Sequence, residues 1–160
     1  MATIERLGPA PGRSRRRCAP WLAALWLCAP AFGAQDQPPT ADELRCMYCI
    51  SVVRAEMDLQ RHMIATVDEA ASSADTPELR QRWNSTSAEL RMALARLEET
   101  LEKLQAYMLP RMGTRDPFAL ADALRQGDAD FQGLRSAADH ADEAVLTRVS
   151  ACENPQWLSL

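Results

Sequence analysis

Cys46 and Cys49 stand two residues apart in the run Cys46-Met47-Tyr48-Cys49, the motif of this chain whose spacing most clearly belongs to known chemistry. Three residues along a helix separate two Cα atoms by roughly 5 Å, within the range a disulfide spans. Near a helix N-terminus the dipole favours a thiolate, which is how Cys-x-x-Cys pairs become redox-active. Such pairs ordinarily sit where a strand leads into a helix, and no strand pattern is present here. Covalent haem attachment needs histidine directly after the second cysteine, and Ile50 holds that place. Met47 and His140 are the candidates for a non-covalent haem, but a continuous third helix sets them far apart.

Soft-metal chemistry is the other use of these residues. Cys46, Met47, Cys49, His62 and Met63 are donors suited to copper(I) or zinc. His62 follows Cys49 by thirteen residues, about 20 Å along one helix, so a single chain cannot converge them. A dimer pooling two cysteine pairs could build a four-sulfur site. The order of expectation is structural disulfide first, thiol redox second, metal third, with Cys46, Cys49 and Cys152 as the disulfide candidates and their pairing open. Asp139, Asp142 and Glu143 beside His140 read as a solvated acidic face.

The rest of the catalytic inventory is thin. Beyond the first 34 residues, glycines stand only at 113, 127 and 133, which builds no phosphate-cradling loop or dinucleotide fingerprint. His-Glu-x-x-His, Gly-x-Ser-x-Gly and Glu-x-x-His are absent from the sequence. Asn84-Ser85-Thr86 fits a glycosylation sequon but falls in the middle of an expected helix and reads as chance. The expectation is a protein that is not an enzyme and carries no cofactor.

Residues 1–34 have the layout of a cleaved secretory signal: Arg13, Arg15, Arg16 and Arg17, then the apolar run 21–27, then small residues ending at Gly33-Ala34. Ala31 and Gly33 occupy the −3 and −1 positions of a cut after Gly33. The run is shorter than the roughly 20 apolar residues a bilayer span needs. Ser14-Arg15-Arg16 lacks the apolar pair of a twin-arginine signal, and Leu27 is too bulky before Cys28 for a lipoprotein box. The expected protein is bacterial, periplasmic or secreted, and without a stable membrane anchor, its cysteines in an oxidising compartment. Removing the segment takes away five arginines and one glutamate and moves the net charge from −4 to −8. So acidic a surface repels phosphate backbones and disfavours nucleic acid.

Elements that must position the cysteines follow from helical periodicity. After a leader at 35–39, expected to be disordered, Thr40 and Glu43 form a capping box. The apolar stripe Cys46, Ile50, Val53, Met57, Ile64, Val67, Ala71 predicts a helix over 41–73. Thr76-Pro77 starts a second, over 77–109, whose stripe runs Leu79, Trp83, Leu90, Leu94, Leu97, Leu101, Leu104, Met108. Glu78 with Arg82 and Glu99 with Lys103 supply i,i+4 ion pairs on its exposed side. Asp116-Pro117 starts a third, and its stripe keeps phase through Gly127 as far as Cys152. The expectation is one continuous helix over 117–152; a bend near Gly127 or Gly133, or a break near Gly127, is the alternative.

The fold expected is therefore all-α: an up-down-up antiparallel bundle of three long helices in a single domain, 40–153, followed by a tail at 154–160. A four-helix bundle is the alternative. The two topologies separate on the cysteines. Three antiparallel helices leave Cys152 tens of ångströms from Cys46 and Cys49, so the near pair closes on itself. A reversal of the chain returns Cys152 to them, and three exported thiols make an odd lone cysteine otherwise. Long amphipathic helices without a catalytic constellation suggest a protein-binding role, to itself or to another envelope protein. Thiol redox or copper/zinc binding at Cys46-x-x-Cys49 is the alternative.

Overall fold

The computed structural model describes residues 37–136 and 142–158. Residues 1–34, read from sequence as a secretory signal, lie outside the described residues, as do Asp139 and His140. Within them the chain is helical, with no strand longer than one isolated bridge.

Helix α1 spans Ala41–Ser72. Its capping box closes in both directions: the Glu43 amide donates to Thr40 Oγ1 at 3.2 Å, and the Thr40 amide donates to Glu43 Oε2 at 2.8 Å. Helix α2 spans Pro77–Met108, capped where Thr76 Oγ1 accepts from the Leu79 amide. Of its two expected ion pairs, Glu99–Lys103 closes at 2.7 Å, whereas Glu78–Arg82 is not among the pairs formed. After a 3-10 turn at Met112–Thr114, helix α3 spans Pro117–Ser136, with Asp116 Oδ1 accepting from the Phe118 amide. Helix α4 spans Glu143–Ser150 and is capped by Asp142.

The third helix does not run unbroken from 117 to 152. Asp130 on α3 bonds Arg148 on α4 at 2.9 Å, a pair that one continuous helix would hold about 27 Å apart. Helix α4 runs antiparallel to both α3 and α1: Cys152 meets Cys49, and Trp157 meets Arg45 further back along α1. Nor does the break fall at Gly127. That glycine is buried where α3 crosses α1, and a Cβ there would strike the Tyr48 carbonyl oxygen and lie 3.2 Å from Ser51 Cβ. It permits close approach rather than ending the helix.

Packing is concentrated at one end. Cys46 to Ile50, with Val52 and Val53, are all buried, so this stretch of α1 is enclosed on every side. Leu97, Leu104 and Met108 come from α2, Leu120 and Phe131 from α3, and Val149 from α4. The far half of α1 rests against α2, with Asp68 on α1 accepting from Ser87 Oγ at 2.6 Å and from Arg91 at 2.7 Å.

Both flanking segments join the packed end. Of the stretch expected to be a disordered leader, Gln37 is held: its amide donates to the Thr114 carbonyl, its carbonyl accepts from the Asp116 amide, and Arg115 donates to its side chain. In the expected C-terminal tail, Trp157 and Leu158 pack on the core.

Candidate functional site

Two of the three cysteines meet where α1 passes α4. Cys49 and Cys152 form a disulfide, with Cα atoms 5.0 Å apart and a sequence separation of 103. The expected closure of Cys46 on Cys49 does not occur. Residues three apart on a helix differ by about 60° in azimuth. That difference turns Cys49 toward α4 and Cys46 toward α2. The Cys46 thiol donates to the Leu104 carbonyl at 3.4 Å and is fully buried. Burial pushes its pKa up to about 12, and the positive charge of Arg111 offsets this only in part.

A thiol in that state is a small hydrophobe rather than a nucleophile. Alkylation by iodoacetamide at pH 8 should be about a thousandfold slower in the folded protein than in urea, given a rise from 9.0 to about 12. Rapid native labelling of Cys46 would contradict this environment. The sign for stability follows. The unfolded thiol ionises first, so the benefit of burying it neutral is complete below about pH 9 and is lost as pH climbs toward 12.

The other proposed ligands do not join the cysteines. Met47 is in the core, and Met63 is exposed on the far half of α1. His62 borders a shallow depression with Asp58, Asp128 and Arg135. Among the described residues, no three His, Cys, Asp or Glu side chains group as a metal site.

Two buried carboxylates make tertiary contacts that were not anticipated from sequence, which placed Glu43 in the capping box alone. Asp130, buried on α3, accepts from the Tyr48 hydroxyl at 2.9 Å, from Gln126 Nε2 at 2.6 Å and from Arg148. Burial acts to raise its pKa, but the bonds from Arg148, Tyr48 and Gln126 outweigh it and hold the carboxyl low. Burial and the bond to Asp130 drive Tyr48 the other way, up to about 12. The network therefore works as a fixed strut joining α1, α3 and α4. Glu43 performs the same service at the α2–α3 connection: buried, it takes a hydrogen bond from Arg115 Nε at 3.0 Å, and the Thr40 amide and Arg115 overcome the effect of burial to keep it ionised. An aspartate and a glutamate in helical stripes look like solvated charges; only the tertiary contacts distinguish them.

On the face of the packed end away from α4, a groove of about 380 Å³ runs between α2 and α3 over α1. Met47, Ile50, Met108 and Leu124 line it, and Leu109 and Met112 stand at its edge, 76% and 49% exposed. Phe118, 81% exposed, follows on the first turn of α3. Comparison with known proteins finds no significant match to any family model, curated protein or solved structure.

Proposed function

We propose that this is an exported, non-enzymatic helical bundle that binds another envelope protein by taking one of its amphipathic helices into the α2–α3 groove. The observation that carries the reading is the exposure of Leu109 and Met112 at the border of an apolar groove. Large apolar side chains exposed together mark interaction surfaces. Three methionines, Met47, Met108 and Met112, give the groove the adaptable lining used to accept helical partners. The disulfide supports an oxidising compartment and agrees with the export expected from residues 1–34. Thiol redox and copper or zinc binding at Cys46-x-x-Cys49 have less support, because Cys49 is committed to Cys152 and Cys46 is sealed in the core.

A photo-crosslinking amino acid at Leu109, expressed in the native host, should trap a discrete adduct that the same probe at the solvated Asp122 does not. Leu109→Asp should reduce recovery of that adduct, captured through a second probe at Met112, by about tenfold. Equal, diffuse labelling from both sites would overturn the docking assignment.

A further inference from the structure

A second cleft, of about 460 Å³, opens on the opposite side of α1, between α3 and α4. Its volume lies within the range of pockets that enclose small organic ligands. The apolar walls are Leu44 and Cys49 of α1, Ala123 of α3 and Ala151 beside α4. Ala123 and Ala151 are small, and the space between these helices is left open rather than filled. The wall formed by α4 is held by two dedicated links, the Cys49–Cys152 disulfide and the Arg148–Asp130 pair.

Charge at the cleft is specific in sign and number. Arg45 and Arg148 both border it. Arg148 is matched by the Asp130 carboxylate, and the donors of Tyr48 and Gln126 are likewise spent on Asp130. Arg45 pairs with no carboxylate among the described residues; its guanidinium lies over the Trp157 ring, 5.2 Å from the centroid. The ring holds the cation beside the cleft without neutralising it. An apolar cleft with one guanidinium that no described carboxylate pairs, in an otherwise acidic protein, complements a ligand with an apolar body and a single negative charge.

We infer that this cleft binds an amphipathic monocarboxylate of the fatty-acid type, its chain between α3 and α4 and its carboxylate on Arg45. The fork of a guanidinium accepts a carboxylate in two parallel hydrogen bonds. Arg148, half exposed, also borders the cleft and spends Nε and Nη2 on Asp130, which leaves Nη1 unspent. This site is separate from the α2–α3 groove, and neither assignment depends on the other.

Isothermal titration of the purified protein with sodium decanoate should give saturable binding of one molecule per chain, accompanied by a change in Trp157 emission. Decanol should bind at least about tenfold more weakly, and Arg45→Ala, at an exposed position, should weaken decanoate by about tenfold, or 1.4 kcal/mol. Amide chemical-shift changes on adding decanoate to the unaltered protein should centre on Leu44, Ala123 and Ala151. Absence of saturable binding overturns the inference. So do equal affinity for decanol, an unaffected Arg45→Ala variant, or shift changes confined to the α2–α3 groove.

Discussion

Cys152→Ala should cost this protein about 4–5 kcal/mol of stability, the value the chain-entropy relation gives for a loop of about 100 residues. The loss should be structural as well as entropic. Helix α4 has eight residues, too few to persist alone in water. Its attachment rests on the disulfide, the Arg148–Asp130 pair, the burial of Val149 and the partial burial of Val145. Without the disulfide, α4 and Trp157 should separate from α1, leaving Asp130 without its cationic partner. Urea unfolding of the oxidised protein and the variant measures the difference, and non-reducing peptide mapping should recover Cys49 linked to Cys152 with Cys46 unmodified. Cys46→Ala should leave that linkage intact. A Cys152→Ala variant within about 1 kcal/mol of the parent, or a Cys46–Cys49 peptide, would refute the arrangement.

Gly127→Ala should destabilise by about 2–3 kcal/mol, against the sign that helix propensity assigns to it. In an isolated helix the exchange would gain up to roughly 1 kcal/mol. Here the added methyl meets the Tyr48 carbonyl, a backbone atom that cannot swing aside. Helix α3 must lift away from α1, loosening Leu120 and Phe131 and stretching the Tyr48–Asp130 bond. Gly133 sits two turns later on the same helix with nothing near its Cβ position. Gly133→Ala should therefore show the propensity gain. Chemical denaturation of both variants checks the contrast, and two changes of the same sign would mean that α3 does not lie this close to α1.

Much of the bundle was legible because α1 and α2 carry both kinds of signal, a cap at the start and a stripe throughout. Thr40 with Glu43, and Thr76 with Pro77, mark their starts to the residue. The end of α3 was hidden by a coincidence of phase. Val145, Val149 and Cys152 continue the spacing of Leu120, Leu124 and Phe131, yet they reach the same core from the opposite direction. Periodicity records which face is apolar and is blind to which way a helix runs. Two other features pointed to the reversal: Asp142-Glu143 makes a serviceable helix start, and the odd number of cysteines beyond residue 34 demands an explanation for the third. The choice between Cys46 and Cys49 depends on 60° of rotation about α1, and the buried roles of Glu43 and Asp130 depend on neighbours more than 70 residues or one chain reversal away. Neither is written locally.

Gln37 and Leu158 both lie at the packed end, and this gives the molecule an unusual mechanical topology. Force applied to the two ends of the described chain would pass from Gln37 along the start of α1 to Cys49, cross the disulfide, and leave from Cys152. The chain between those cysteines, residues 50–151, including all of α2 and α3, stands outside that covalent path. Stretched to its limit, the path through the disulfide reaches roughly 65 Å, against roughly 420 Å for the whole of residues 37–158 with the bond reduced. Tethered by its ends, the oxidised protein is a short leash carrying a shielded helical hairpin, and reduction alone turns it into a long one.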